Sequence, residues 1–372
     1  MRHKNGSKNE KGIVERIQYK QALMTVIRNF EDVLREHVYK THGQFPNVID
    51  IRDIDEITRF GATGQVHLVT IDFGSDFGTH QTMLAIKFSS SPQKVFTEAA
   101  NSRWLFKQLE YYNYGDLCTP QLLFAFPEEK ILTYEGIQGK SYYEESIGIK
   151  KKAVLAGRLL AAVQGTEVRT LDVEHYENLM ALMLLNLPIS TLRRESIAKL
   201  CAAYFEEMKE SRGGGNIFGD YHQANVILSR EEHTSYFQKI YVIDPEYMQL
   251  NQNYCRSEDI ANFFHFQISE EFKQTKAIDE TQSALHYFLS GYNQILRDFN
   301  LSLKELYPLN MPLEFHLAYH IFTHLRLLIK RSRQTIKRSK KVEKRSVKGL
   351  IEEVKELISF TEFLLKERPL TS

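Results

Sequence analysis

The chain has 372 residues, 42% of them apolar and 26% charged, with a formal net charge of +1. That length allows two modest domains or one large domain of two lobes, and the near-neutral balance excludes a whole-molecule field suited to nucleic acid or membrane. The three cysteines, Cys118, Cys201 and Cys255, lie far apart with no C-x-x-C pair, so they offer neither a zinc site nor a disulfide framework and suit a reducing compartment.

Residues 1–12, "MRHKNGSKNEKG", are polar, have no apolar signal core behind them, and read as a disordered tail. The longest apolar run, Leu179 to Ile189, falls short of the roughly 18 residues of a membrane span, so the expected location is cytoplasmic. Over 13–45 a helix is expected to pack on the lobes, with Leu23, Val26, Ile27, Phe30, Val33, Leu34 and Val38 at spacings of three and four. From about Asp53 the period changes. "IDEITRF", "QVHLVTIDF" and "TMLAIKFS" read as antiparallel strands joined through glycine-bearing turns. "QKVFTEAANSRWLFKQLEYY" returns to helical spacing, and "QLLFAF" and "KILTYE" complete a five-stranded sheet with one helix on it, a lobe spanning 46–137. Gly136 and Gly139 mark the change to a mainly helical lobe over 138–372, interrupted by short strands around 216–250. The expected class is α+β.

Two segments of the helical half carry chemistry. "GNIFGDYHQANVIL" (Gly215 to Leu228) sets Asp220, His222 and Asn225 between apolar runs, and "KIYVIDPEYM" breaks into Asp244 and Glu246 in the same way. Phosphoryl transfer asks little covalent chemistry of a protein. It needs magnesium on the phosphate oxygens, an acceptor for the incoming hydroxyl's proton, and cations along the nucleotide. Magnesium takes hard oxygen ligands, which Asn225 and Asp244 supply, while Asp220 is left to face the hydroxyl. In the sheet half, Lys87 ends the strand "MLAIK" and Glu98, eleven residues on, can pair with it. The turn "FGATGQV", with Gly61, Thr63 and Gly64, lets backbone N–H groups approach phosphates.

These residues resemble the aminoglycoside phosphotransferase and choline kinase superfamily. Its catalytic loop, H-G-D-x-x-x-x-N, is matched by Phe218-Gly219-Asp220-Tyr221-His222-Gln223-Ala224-Asn225, with Phe218 in place of the usual His. Its metal-binding I-D-x-E is matched by Ile243-Asp244-Pro245-Glu246, a form also similar to methylthioribose kinases. The resemblance runs from about 53 to 330 and implies a two-lobed, protein-kinase-like fold using ATP and Mg2+. It implies Asp220 as catalytic base with Asn225 beside it, and Asn225, Asp244 and Glu246 at the metal. It further implies Lys87, paired with Glu98, on the phosphates; Thr133, Glu135 and Ile137 in a hinge holding the adenine; and Asp259 bracing the catalytic loop.

Singly, each residue has a plainer reading. Lys87 can be a solvated strand end, Glu98 an exposed carboxylate, Gly61 and Gly64 a hairpin turn, His222 a structural histidine, Asp259 a helix cap. The set, in one chain order, favours the kinase. Residues 326–348 carry eleven Lys or Arg and a single Glu343, a solvated face by default. The other reading of that run is an anionic ligand, either an acidic substrate or RNA backbone. It argues against polycationic aminoglycosides, and makes a catalytically silent binding module the alternative function. A metal-dependent hydrolase using Asp220, His222, Asp244 and Glu246 is the third reading.

Overall fold

The computed structural model of the chain describes residues 31–43, 48–53, 59–60, 64–75, 78–230, 237–338 and 344–370. The expected tail, the first half of the N-terminal helix, Gly61 and Thr63 lie outside the described residues. The chain forms two compact units. One comprises the described residues up to Ala99 together with Gln121–Ile137, the other Ala100–Pro120 together with those from Gln138 onward.

In the first unit, α1 (Glu31–His42) precedes β1 (Val48–Asp53), β2 (Arg59–Phe60), β3 (Gly64–Ser75), β4 (Gly78–Ser89) and the first turns of α2 (Pro92–Tyr112), whose residues from Ala100 onward are counted with the second unit. β5 (Leu117–Cys118) goes to the second unit, and β6 (Leu122–Phe126) and β7 (Ile131–Glu135) return to the first. The antiparallel sheet runs β1-β3-β4-β7-β6, with β2 also on β3. It therefore has six strands where five were expected, and the first begins at Val48 rather than near Asp53. The cause is β3, whose twelve residues are long enough to pair with both β1 and β2. Strand side chains alternate between faces, and that alternation sorts the core. Leu84 and Ile86 pack with Val69, Phe124, Ile131 and Leu34 of α1, whereas Leu132 and Tyr134 pack with Val95 and Ala99 of α2. Lys87, out of step with Leu84 and Ile86, falls on the α2 face.

The second unit holds β8 (Lys140–Ser141), α3 (Ile149–Gln164), α4 (Val173–Asn186), α5 (Thr191–Lys209), β9 (Gly214–Ile217), β10 (Val226–Arg230), β11 (Phe237–Val242) and β12 (Gln249–Cys255). It continues through α6 (Ser257–Thr275), α7 (Asp279–Asp298), α8 (Leu303–Leu306), α9 (Leu313–Arg338) and α10 (Lys344–Glu367). Two small sheets, β5-β11-β10-β8 and β12-β9, are set into this helical body. α3 crosses α7 at Gly157 and Gly291, and α10 is fastened to α5 by the forked pair Arg193–Glu362 at 2.7 Å through each nitrogen. Among the described residues, no helix is long and apolar enough to cross a membrane.

His316 on α9 is fully buried, edge-on to the Tyr176 ring, and neither ring nitrogen has a hydrogen-bond partner among the described residues. Burial pushes its pKa down from 6.5 to about 3. The folded chain thus keeps this imidazole neutral while the unfolded chain protonates it below pH 6.5. The stability that follows from this difference is complete above pH 6.5 and lost as pH falls toward 3. His316→Phe removes both an unsatisfied buried group and this acid lability. Its melting temperature is expected to exceed that of the unsubstituted chain by a margin that widens from pH 8 to pH 4.5. A margin that does not change with pH would contradict the assignment.

Candidate active site

In the first unit, register decides which side chains meet. β4 pairs with β7 through Ala85↔Tyr134 and Lys87↔Leu132, so Lys87 and Tyr134 are diagonal neighbours on the α2 face. Glu98 comes to them from α2. Lys87 Nζ lies 2.7 Å from Glu98 Oε2, and Tyr134 Oη donates to Glu98 Oε1 at 2.7 Å. All three are buried. Glu98 is therefore no exposed helix carboxylate, and Lys87 is no solvated strand end. A buried ion pair costs desolvation that only good geometry and further hydrogen bonds offset, so the third member has a physical role.

The expected hinge residues fall at the end of β7. Thr133 is fully buried within the sheet, opposite Ile86 and Phe124, and its hydroxyl has no hydrogen-bond partner among the described residues. Glu135 and Ile137 are half-buried. Gly136 donates to the Met83 carbonyl at 2.7 Å, so close that a Cβ there would lie 2.5 Å from the Met83 side chain. Gly64 opens β3.

In the second unit, β9 delivers Phe218-Gly219-Asp220. The Asp259 carboxylate, at the start of α6, accepts the Phe218 amide at 2.7 Å and the Gly219 amide at 2.8 Å, and also takes Gln164 Nε2 at 2.9 Å. Asp259 thus braces a loop rather than capping its own helix. Burial pushes its carboxyl up to about 6, while the hydrogen bonds from Phe218, Gln164 and Gly219 pull the other way. Gly219 has φ +80°, and a Cβ there would sit 2.4 Å from the Tyr247 carbonyl oxygen, which accounts for the glycine. Phe218 is fully buried and meets Tyr221 edge-on at 5.8 Å. It fixes the loop by packing.

Asp220 follows, half-buried. Asn225 Nδ2 donates to the Asp220 backbone carbonyl at 3.0 Å and reaches its Oδ2 at 3.5 Å. His222 Nε2 lies 3.6 Å from Asp220 Oδ2, while its Nδ1 accepts the Ala224 amide. Pairing of Val226 with Val242 sets Asn225 beside Ile243, whose amide donates to the Asn225 carbonyl at 3.0 Å. The two segments of the sequence therefore do meet. Asp244, one residue on, has left-handed φ of 65° and opens a 3-10 turn over Pro245–Tyr247 that buries Glu246. Asn101, on α2, donates to the Pro245 carbonyl at 2.8 Å and the Met248 carbonyl at 3.1 Å, holding both ends of that turn.

Beside this loop lies a cavity of about 700 Å³ whose lining includes Gln223, Tyr142, Phe266, Glu270, Asp279 and Glu280. Sequence reading missed this cavity, Tyr134, Asn101 and Gln164. Polar helix residues and a strand tyrosine carry no spacing signal of their own.

No protein-family model matches the chain, and no curated protein matches it. Solved structures do. Choline kinase LicA from Streptococcus pneumoniae is 14% identical, covering 89% of this chain and 99% of that one, with a TM-score of 0.45. The GDP complex of aminoglycoside 2′-phosphotransferase-IIIa is 9% identical over 88% and 98%, with a TM-score of 0.48. A choline/ethanolamine kinase family protein from Mesorhizobium loti is 11% identical over 91% and 99%, with a TM-score of 0.45.

Proposed function

We propose that the chain is an ATP- and magnesium-dependent phosphotransferase that moves the γ-phosphoryl group to a hydroxyl of a small molecule, with Asp220 as the base. The observation that carries this reading is the double anchorage of the loop. Asp259 holds the Phe218 and Gly219 amides from one side, and the β10–β11 register ties Asn225 to Ile243-Asp244 from the other. A base must stay near the metal ligands without becoming one. Here the Asn225 amide nitrogen faces Asp220, which leaves the amide oxygen for a cation.

The donor set fits magnesium. Asn225, Asp244 and Glu246 offer hard oxygens, with no thiolate among them. Bound there, the ion neutralises charge on the phosphate oxygens. Lys87, directed by Glu98, supplies a cation for those phosphates. Gly64 is assigned to backbone contacts with them, Gly61 and Thr63 of the same turn lying outside the described residues. Glu135 and Ile137 are assigned to the adenine, while Thr133, fully buried between Ile86 and Phe124, supports that stretch from within the sheet. Asp220 accepts the proton of the attacking hydroxyl.

The cavity next to Gln223 supports an acceptor of definite charge. Among the described residues, Glu270, Glu271, Asp279 and Glu280 line it against one cation, Lys152, and Tyr142, Tyr143 and Phe266 add aromatic faces. Such a lining favours a hydroxylated amine or quaternary ammonium compound. This lining does not favour the anionic acceptor expected from the basic run at 326–348. Of that run's cations, Arg326 and Lys330 are exposed on α9, and neither lines the cavity. The test is a phosphate-transfer screen of cationic, neutral and anionic alcohols with ATP and magnesium. Transfer is expected to cationic alcohols. Transfer to none of the three classes by a chain that binds ATP would reject the catalytic reading, and transfer to anionic alcohols alone would reject the cationic acceptor.

A further inference from the structure

We infer that Tyr134 is a positioning residue for Lys87, acting through Glu98, and that the strand leading into the adenine-binding stretch thereby also aims the phosphate-binding ammonium. The inference rests on the nucleotide-binding reading above and extends it to a residue no motif marks. A carboxylate with one partner can rotate and exchange that partner between its oxygens. Lys87 Nζ donates to Glu98 Oε2 and the Tyr134 hydroxyl donates to Oε1, both at 2.7 Å, so a donor from a different strand engages each carboxylate oxygen. The ammonium is then held to one direction rather than to one neighbourhood.

Tyr134 is suited to this by its place in the sheet. It pairs with Ala85, two residues before Lys87, and its ring packs with Val95, Ala99 and Leu132 against α2. It also stands next to Glu135. A base seated at Glu135 and phosphates held by Lys87 would therefore be referred to the same strand, so a shift in one carries the other.

The experiment uses the full chain and the substitution Tyr134→Phe, which keeps the packed ring and removes the hydroxyl. Binding of Mg-ATP and of adenosine is measured for the unsubstituted chain, Tyr134→Phe, Lys87→Met and the double variant. A hydrogen bond to a charged group accounts for roughly a ten-fold or larger effect. The expected result is Mg-ATP affinity about ten-fold weaker in Tyr134→Phe with adenosine affinity unchanged, and no further loss when it is added to Lys87→Met. Equal loss for both ligands, or losses that add in the double variant, would overturn the role. A chain that binds neither ligand would reject the nucleotide reading instead, and the positioning claim is then decided on Lys87 itself. With 15N-labelled lysine, the ε-ammonium resonance absent from Lys87→Met should be visible in the unsubstituted chain and broadened in Tyr134→Phe. An unaltered resonance would refute it.

Discussion

Asp220→Asn is expected to lower kcat by about 10²- to 10⁴-fold, the range over which a positioned proton acceptor acts. Mg-ATP affinity should stay within about two-fold. The substitution is nearly isosteric, and the contacts that shape the loop do not use the carboxylate as an acid. Asp259 holds the Phe218 and Gly219 amides, and Asn225 Nδ2 bonds chiefly to the Asp220 backbone carbonyl at 3.0 Å. What is lost is an oxygen basic enough to take the hydroxyl's proton. The measurement is steady-state turnover beside equilibrium nucleotide binding. If turnover persists undiminished, Asp220 is not the base. If nucleotide affinity collapses with turnover, Asp220 belongs to the metal set rather than to the acceptor.

How much of this was readable beforehand depends on whether a residue's signal is local. Asp220, Asn225 and Asp244 interrupt apolar runs that would otherwise be plain buried strands, and a carboxylate or amide in such a place demands a partner or a ligand. Lys87 and Glu98 were legible as a pair because strand and helix are consecutive in the chain. Asp259 was legible only through resemblance, since an acidic residue at a helix start is an ordinary cap. Its target amides lie 40 and 41 residues away, a separation no periodicity encodes. Tyr134 was hidden for the opposite reason. An aromatic in "KILTYE" satisfies the strand pattern by packing alone, so its hydroxyl raised no question. The cavity was invisible because its acids sit on two helices, α6 and α7, and only packing brings them to Gln223. The extra strand, Val48–Asp53, was missed because it lies before the point where the helical period changes, and β3's twelve residues are long enough to pair with it as well as with Arg59–Phe60.

Gly157 shows the same limit from the side of stability, and its substitution should be the most damaging single methyl group in the chain's helical half. By propensity alone, glycine within a helix costs about 1 kcal/mol relative to alanine, so Gly157→Ala would stabilise α3 in isolation. The crossing with α7 reverses the sign. A Cβ at Gly157 would lie 2.0 Å from the Phe288 carbonyl oxygen and 2.8 Å from its carbonyl carbon. Both are backbone atoms, which no rotamer change can move aside. Reciprocally, a Cβ at Gly291 would lie 2.1 Å from the Val154 carbonyl oxygen, so the two helices touch at both glycines and cannot pivot about one. Relief requires separating them over a seam of fully buried Ala153, Ala156, Leu160, Ala284, Phe288 and Tyr292. Overpacking of side chains costs about 1–3 kcal/mol, and a backbone clash belongs at or above the upper end. The damage would also reach the catalytic loop, because α3 carries Gln164, a partner of Asp259, and the Ala156 carbonyl that accepts the Tyr221 hydroxyl at 2.7 Å. Gly349 on α10 provides the control, being exposed with nothing within 4 Å of a built Cβ. Urea unfolding should therefore show Gly349→Ala stabilised by roughly 0.5–1 kcal/mol and Gly157→Ala destabilised by about 3 kcal/mol or more. Equal gains at both positions would mean that α3 and α7 do not approach as closely as these two glycines permit.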